Sequence, residues 1–113
     1  MANNEYAPEA IERAKEKLRD FHDWHADNMR AWLWAERFAL EAAAAGRHVG
    51  GAAIVEAIRG RDFADRWGTP TKTNNDFAPI IARVLLRHHP ELRGHIELRK
   101  SAFDLLIKAG AND

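Results

Sequence analysis

Asn28-Met29-Arg30-Ala31-Trp32-Leu33-Trp34-Ala35-Glu36-Arg37-Phe38-Ala39-Leu40-Glu41-Ala42-Ala43-Ala44-Ala45 is the stretch from which the rest of the chain can be arranged. Met29, Leu33 and Leu40 share one side at helical spacing, which Trp32, Ala39 and Ala43 extend. Trp34, Phe38 and Ala45 populate another side, and Arg30, Arg37 and Glu41 form the clear polar stripe. A helix apolar nearly all round packs on several sides, so residues 28–45 are predicted to form a central helix. Asp27 or Asn28 suits its N-cap, the alanine run lets a neighbour approach closely, and Gly46 suits its C′ position.

Outward from this rod, the same 3.6-residue logic predicts four more helices. Pro8 sits where a first turn tolerates it, and Ile11, Ala14, Leu18 and Phe21 make one face of a helix over 8–25. Gly50-Gly51 precedes a short helix from Ala52 to Arg59, which Gly60 stops. Asn75 or Asp76 caps a helix over 76–89, with Phe77, Ile80, Ile81, Val84 and Leu85 as its buried arc and Pro90 as its end. A last helix is predicted over 96–109, burying Leu98, Ala102, Leu105 and Leu106, with Phe103 and Ile107 on another side. Between Arg61 and Asn75 lies the longest irregular piece, where a short hairpin fits. The expectation is one all-α domain over 1–113: a compact bundle of about five helices around a central apolar helix, with a helix-turn-helix-like pair.

Composition narrows the function classes. The chain has 113 residues, 46% apolar and 30% charged, which is globular and sized for one domain. It has no cysteine, which excludes a disulfide framework and a thiolate metal site and fits a reducing compartment. Residues 1–5, Met-Ala-Asn-Asn-Glu, lack a basic apolar leader and no stretch suits a bilayer. The expected location is the cytoplasm. The net formal charge is zero, but it divides into −3 over residues 1–45 and +3 over residues 46–113. A polyanion-binding surface is therefore expected in the second half.

The candidate site residues follow from that division. Arg83 and Arg87 lie four apart on one helix, and Arg93, Arg99 and Lys100 follow. Arginine forks suit phosphate, so convergence of these five would make a nucleic-acid backbone site. Asn74 and Asn75, after Thr71 and Thr73, lead into a helix start, where backbone N–H groups face an anion. His22 and His25 share a helical face, and with Glu36 they are the set that could ligate zinc. The reading adopted is no metal and no cofactor, with the carboxylate orienting an imidazole in a polar cluster. His88, His89 and His95 read as helix-terminal histidines. Trp24, Trp32, Trp34 and Trp67 are many for this length. Trp32 and Trp34 point to different sides of their helix, which allows an aromatic anchor for a protein partner or a homodimer across that helix. No Gly-x-Ser-x-Gly, phosphate-binding Gly-rich loop or cysteine nucleophile is present, so the chain reads as non-enzymatic.

Ala57-Ile58-Arg59, Asn74-Asn75-Asp76-Phe77, Ala82-Arg83, Pro90 and Arg99-Lys100-Ser101 together resemble a pattern of small uncharacterised proteins of bacteriophages and prophages. That pattern has an "I-x-x-x-[LI]-R" helix, a loop, an "N-N-[ND]" turn, an "A-R" helix, a proline and a terminal "R-x-S". The resemblance covers about residues 30–101 and implies mobile-element origin rather than an activity. It fits a regulator that uses the basic residues on nucleic acid. The alternative is a protein-binding inhibitor of a host defence or replication complex, of the anti-CRISPR kind.

Overall fold

The computed structural model describes residues 6–107. Four α-helices are present among them: α1 Pro8–Asp27, α2 Met29–Ala44, α3 Gly51–Arg59 and α4 Ala78–His88. Three short 3-10 turns, Asn75–Phe77, Pro90–Leu92 and Ala102–Leu105, and two short strands, β1 Val49–Gly50 and β2 Ile96–Glu97, complete it.

Pro8 at the first position and Glu9 in the first turn start α1 as their chemistry predicts. One residue, Asn28, then separates α1 from α2. Its side chain does not cap α2, contrary to the sequence expectation. Instead Asn28 closes α1: its backbone N–H and its Nδ2 both donate to the Trp24 carbonyl, at 2.8 and 3.0 Å. The free Oδ1 accepts from the Thr71 hydroxyl at 2.8 Å, so the elbow is tied to the distant 61–75 segment. At the far end of α2, Gly46 takes φ 78°. The Arg47 N–H reaches the Ala42 carbonyl and the Gly46 N–H reaches that of Ala43, both at 2.9 Å. This is the Schellman arrangement that a C′ glycine makes cheap.

The helix expected at the centre lies nearer the surface. α2 buries Ala31, Trp32, Ala35, Ala39 and Ala42, a narrow face of small side chains closed by one indole. Met29 and Leu33, expected inside, are 42% and 56% exposed. The fully buried centre belongs to α3 and α4, through Ile54, Val55, Ile58, Ile80, Ile81 and Leu85. These helices meet closely because Gly51, first in α3, has no side chain. A Cβ built there would lie 1.9 Å from the Ala78 carbonyl oxygen. They are joined by residues 60–77, not by a tight turn, so the helix-turn-helix expectation does not hold for this pair. The hairpin expected within 61–75 appears as one antiparallel bridge between Ala64 and Pro70.

The helix predicted over 96–109 does not form over its described part, residues 96–107; residues 108 and 109 lie outside the described residues. Ile96 and Glu97 instead pair in parallel with Val49 and Gly50, and the Val49 N–H donates to the His95 carbonyl at 2.8 Å. Ser101 then opens a 3-10 turn with a capping box, in which its hydroxyl accepts from the Phe103 N–H and Asp104 accepts from the Ser101 N–H. The burial divides differently from the prediction: Phe103 and Ile107 are buried, Ala102 and Leu106 are half-buried, and Leu98 and Leu105 are 44% and 52% exposed. No helix of the described residues is long and apolar enough to cross a membrane.

Candidate functional site

The five basic residues proposed for phosphate do not act alike. Arg83 is only 1% exposed. Its fork is filled from within: Nε donates to Asp104 Oδ1 at 2.8 Å, Nη1 to the Pro79 carbonyl at 2.9 Å and Nη2 to the Arg99 carbonyl at 2.6 Å. It is a structural bolt between α4 and the 99–104 segment, and the basic set loses it. Arg87, Arg93, Arg99 and Lys100 are exposed. Arg83, Arg99 and Lys100 line one hollow with Gly50, Pro79 and Glu97, whereas Arg87 borders a different groove beside His22 and His88. Thus neither hollow brings all five together, and within the shared one Arg83 is spent on internal acceptors.

Asn74 and Asn75 stand at the entry to the Asn75–Phe77 turn. Asn74 Oδ1 accepts from the Asp76 N–H at 2.8 Å, which is capping chemistry. The chain's own Asp76 carboxylate lies there and pairs with Lys17 Nζ at 2.6 Å.

The histidines are gathered more closely than the sequence suggested. The His25 ring packs edge-on against Trp32 at 4.9 Å and lies 5.8 Å from Phe21. Burial holds its pKa below the usual imidazole value; Glu36 pulls the other way, and His22 and His88 add to the depression. Glu36 does not join His22 and His25 as a ligand set. Its Oε2 accepts from His89 Nε2 at 3.2 Å and lies 3.9 Å from His88 Nδ1. Among the described residues, no group of three or more His, Cys, Asp or Glu is arranged to hold a metal ion. His88 is exposed, and His89 is half-buried. His95 donates from Nδ1 to the Arg47 carbonyl at 3.2 Å and lies beside His48.

The tryptophans separate into three roles. Trp24 and Trp32 are core, 7% and 2% exposed. Trp34, on the other side of α2, is half-buried. It stacks on Phe38 at 5.2 Å, meets Phe63 at 5.7 Å and carries the Arg61 guanidinium at 5.1 Å. This second side of α2 is thus covered in part, while Met29 and Leu33 stay exposed. Trp67 is different: it is 68% exposed, and Arg66 sits over its ring at 4.9 Å.

The turn that carries Trp67 is closed by its own hydrogen bonds. Asp65 Oδ1 accepts from the Trp67 N–H at 3.0 Å and the Thr69 N–H at 2.9 Å. The Asp65 N–H donates to the Thr69 carbonyl at 2.8 Å and the Gly68 N–H to the Asp65 carbonyl at 2.9 Å. Gly68 supplies the φ of 85° that this closure requires. The turn is also fastened to the helices. The Arg66 N–H donates to the Asp27 carbonyl at 2.9 Å, and Arg66 Nε and Nη2 both reach Asp27 Oδ1, at 3.0 and 2.8 Å. Met29 and Arg30 face Ala64, Asp65, Arg66 and Gly68 across a hollow of about 420 Å³. Leu33 stands one helical turn beyond Met29 on the same exposed strip. Asp65 and Arg66 were not singled out from sequence; the Asp65-Arg66-Trp67-Gly68 string, an Asx-type turn ending in glycine, is the signal that would have found them. Comparison with models of known protein families, with curated proteins and with solved structures finds no match.

Proposed function

We propose that this chain is a non-enzymatic protein-binding module, a regulator or inhibitor that seizes its partner with Trp67. The observation that carries this reading is a 68% exposed indole on a turn already fixed by Asp65 and fastened to Asp27. Leaving a tryptophan in water forgoes about 1.5–3 kcal/mol of burial, by analogy with other large apolar side chains. Fixing its backbone in advance removes much of the ordering cost of binding. Both features favour a partner that buries the ring. The surroundings agree: Met29 and Leu33 are exposed, and Arg30 and Arg66 border the same hollow. Trp, Met and Arg are the side chains enriched at the cores of protein interfaces. The distribution of basic residues supports a nucleic-acid role less well, because Arg83 is internal and the others do not share one hollow.

Affinity capture from nuclease-treated host extract, run with the wild-type chain, with Trp67→Ala and with an Arg93→Gln/Arg99→Gln/Lys100→Gln triple variant, tests this reading. The expected result is a protein partner retained after nuclease treatment, lost with Trp67→Ala and kept by the triple variant. Loss of all capture on nuclease treatment, or capture unchanged by Trp67→Ala, would overturn it.

A further inference from the structure

A second surface, which does not involve Trp67, lies between α1, α4 and the 102–107 segment. It is a groove of about 230 Å³. Phe21, 1% exposed, lies at its base, and Leu18, Val84, Leu106 and Ile107 make its apolar walls. Its polar lining consists of His22, His25, Arg87 and His88. Among the described residues no acidic side chain lines it; Glu36 pairs with His89 at 3.2 Å and comes within 3.9 Å of His88. Arg87 is exposed, and its guanidinium makes no hydrogen bond or ion pair with any described residue. The contrast with Arg83, four residues earlier and fully partnered, is direct.

From this geometry we infer that the groove binds a small monoanionic ligand: a carboxylate carried on a compact apolar body. Arg87 presents a planar fork of N–H donors that matches two carboxylate oxygens. Imidazole N–H groups of His22 and His88 stand on the same rim and add donors to an anionic head. The apolar walls then cover a body no larger than one ring and a short linker, because the volume is below the roughly 300–1,000 Å³ of drug-sized pockets. An inorganic anion would leave those walls wet, and a neutral apolar molecule would leave Arg87 without an acceptor. The preferred ligand therefore combines both parts.

The test titrates the full chain with 4-phenylbutyrate, 4-phenylbutyramide and inorganic phosphate, each to about 10 mM in view of the modest affinity a ligand this small can reach. Amide ¹H–¹⁵N shifts report the site. The expected result is saturable movement of Phe21, Val84 and Ile107 with the carboxylate. The amide and the phosphate bind at least about 10-fold more weakly, because a charge-assisted pair is worth about 10- to 100-fold in affinity. Arg87→Gln, at an exposed position without a partner among the described residues, keeps the fold and reduces the carboxylate to the level of the amide. The inference is overturned if the carboxylate and amide bind alike, if the shifts map away from the groove or do not saturate, or if Arg87→Gln binds as the wild type does. It is also overturned if the groove stays silent while Arg87→Gln shifts self-association in sedimentation, which would assign the groove to a second copy of the chain.

Discussion

The Arg83 guanidinium, buried among the apolar side chains of α4, reaches the half-exposed Asp104 carboxylate at 2.8 Å and so joins the last regular helix to the irregular end of the described chain. Asp104 is held below the ordinary carboxylate range: its partial burial pushes the pKa up, but the Arg83 hydrogen bond, the Ser101 N–H and the charges of Arg83 and Lys100 more than offset that. Removing either partner should be costly, but unequally. Arg83→Met leaves the Pro79 and Arg99 carbonyls without their donor, and Arg83→Lys cannot serve three directions with one ammonium. Each is expected to destabilise by about 2–4 kcal/mol in urea unfolding. Asp104→Asn should cost less and should flatten the acid limb of the stability profile. In the wild type, the depressed folded-state pKa contributes stability above the unfolded value of 3.8, which is lost as pH falls through the folded value. An acid limb identical in Asp104→Asn would contradict this assignment.

His25 should make stability fall in a milder pH range. Its folded-state pKa is depressed below 6.5, chiefly by burial. As pH drops below 6.5 the unfolded chain binds the proton first, so the folded state loses ground until the buried ring also titrates. Urea midpoints measured at pH 7.5, 6.5 and 5.5 should decline for the wild type and decline less for His25→Gln. Parallel profiles for the two proteins would show that the ring against Trp32 does not control the effect.

Gly51 is predicted to be irreplaceable for a steric reason. Alanine ordinarily favours a helix over glycine by about 1 kcal/mol. Here its Cβ would fall 1.9 Å from the Ala78 oxygen and 2.5 Å from the Ala78 carbonyl carbon, atoms of backbone that cannot rotate away. Separating α3 from α4 to make room disturbs the best-buried layer, so Gly51→Ala should destabilise by about 3 kcal/mol net and lower Tm by about 10 °C. Gly46→Ala is strained by its positive φ alone, since nothing lies within 4 Å of its Cβ position. It should be the milder change in the same melting experiment.

Trp67→Ala is expected to change unfolding free energy by no more than about 0.5 kcal/mol, as for other exposed positions, while removing partner binding. Asp65→Ala should do the reverse in part, leaving the indole present and loosening its support. Heteronuclear relaxation at the Trp67 indole is the direct check: it should report rigid behaviour in the wild type and fast motion in Asp65→Ala.

The helices were readable because their signals are local. Pro8, Gly46, Gly60 and Pro90 punctuate the chain, and the four predicted spans agree with α1–α4 to within two residues at each end. Two things were not local. Which helix becomes central depends on partners. α2 has apolar residues on several sides, yet its alanine face receives the core, and Trp34 finds Phe63 far along the chain. Residues 96–107 do not yield to spacing because they hold two competing apolar sets. The choice between them is made by Val49 pairing with Ile96 and by Arg83 taking the Arg99 carbonyl, neither of which spacing can reveal. Ser101-Ala102-Phe103-Asp104 was a legible capping box that argued for a late start. Within the candidate site, Trp67 was legible as one of four tryptophans, but its exposure was not, because coverage of Trp34 decides which ring is left over.

The two-residue parallel pairing of β1 with β2 joins positions almost fifty residues apart, and it has a consequence for durability. The 93–107 stretch contains no α-helical turn of its own, so its attachment rests on this short ladder, the Arg83 fork and the buried rings and chains of Phe103 and Ile107. Local opening is therefore expected there before it is in the four helices, and faster amide exchange at Phe103 and Ile107 than in α1–α4 would show it. Such opening would carry away Leu106 and Ile107, and with them one side of the groove beside Arg87. Anything lodged there would act as glue on that flap, slowing its excursions without touching the rest of the protein.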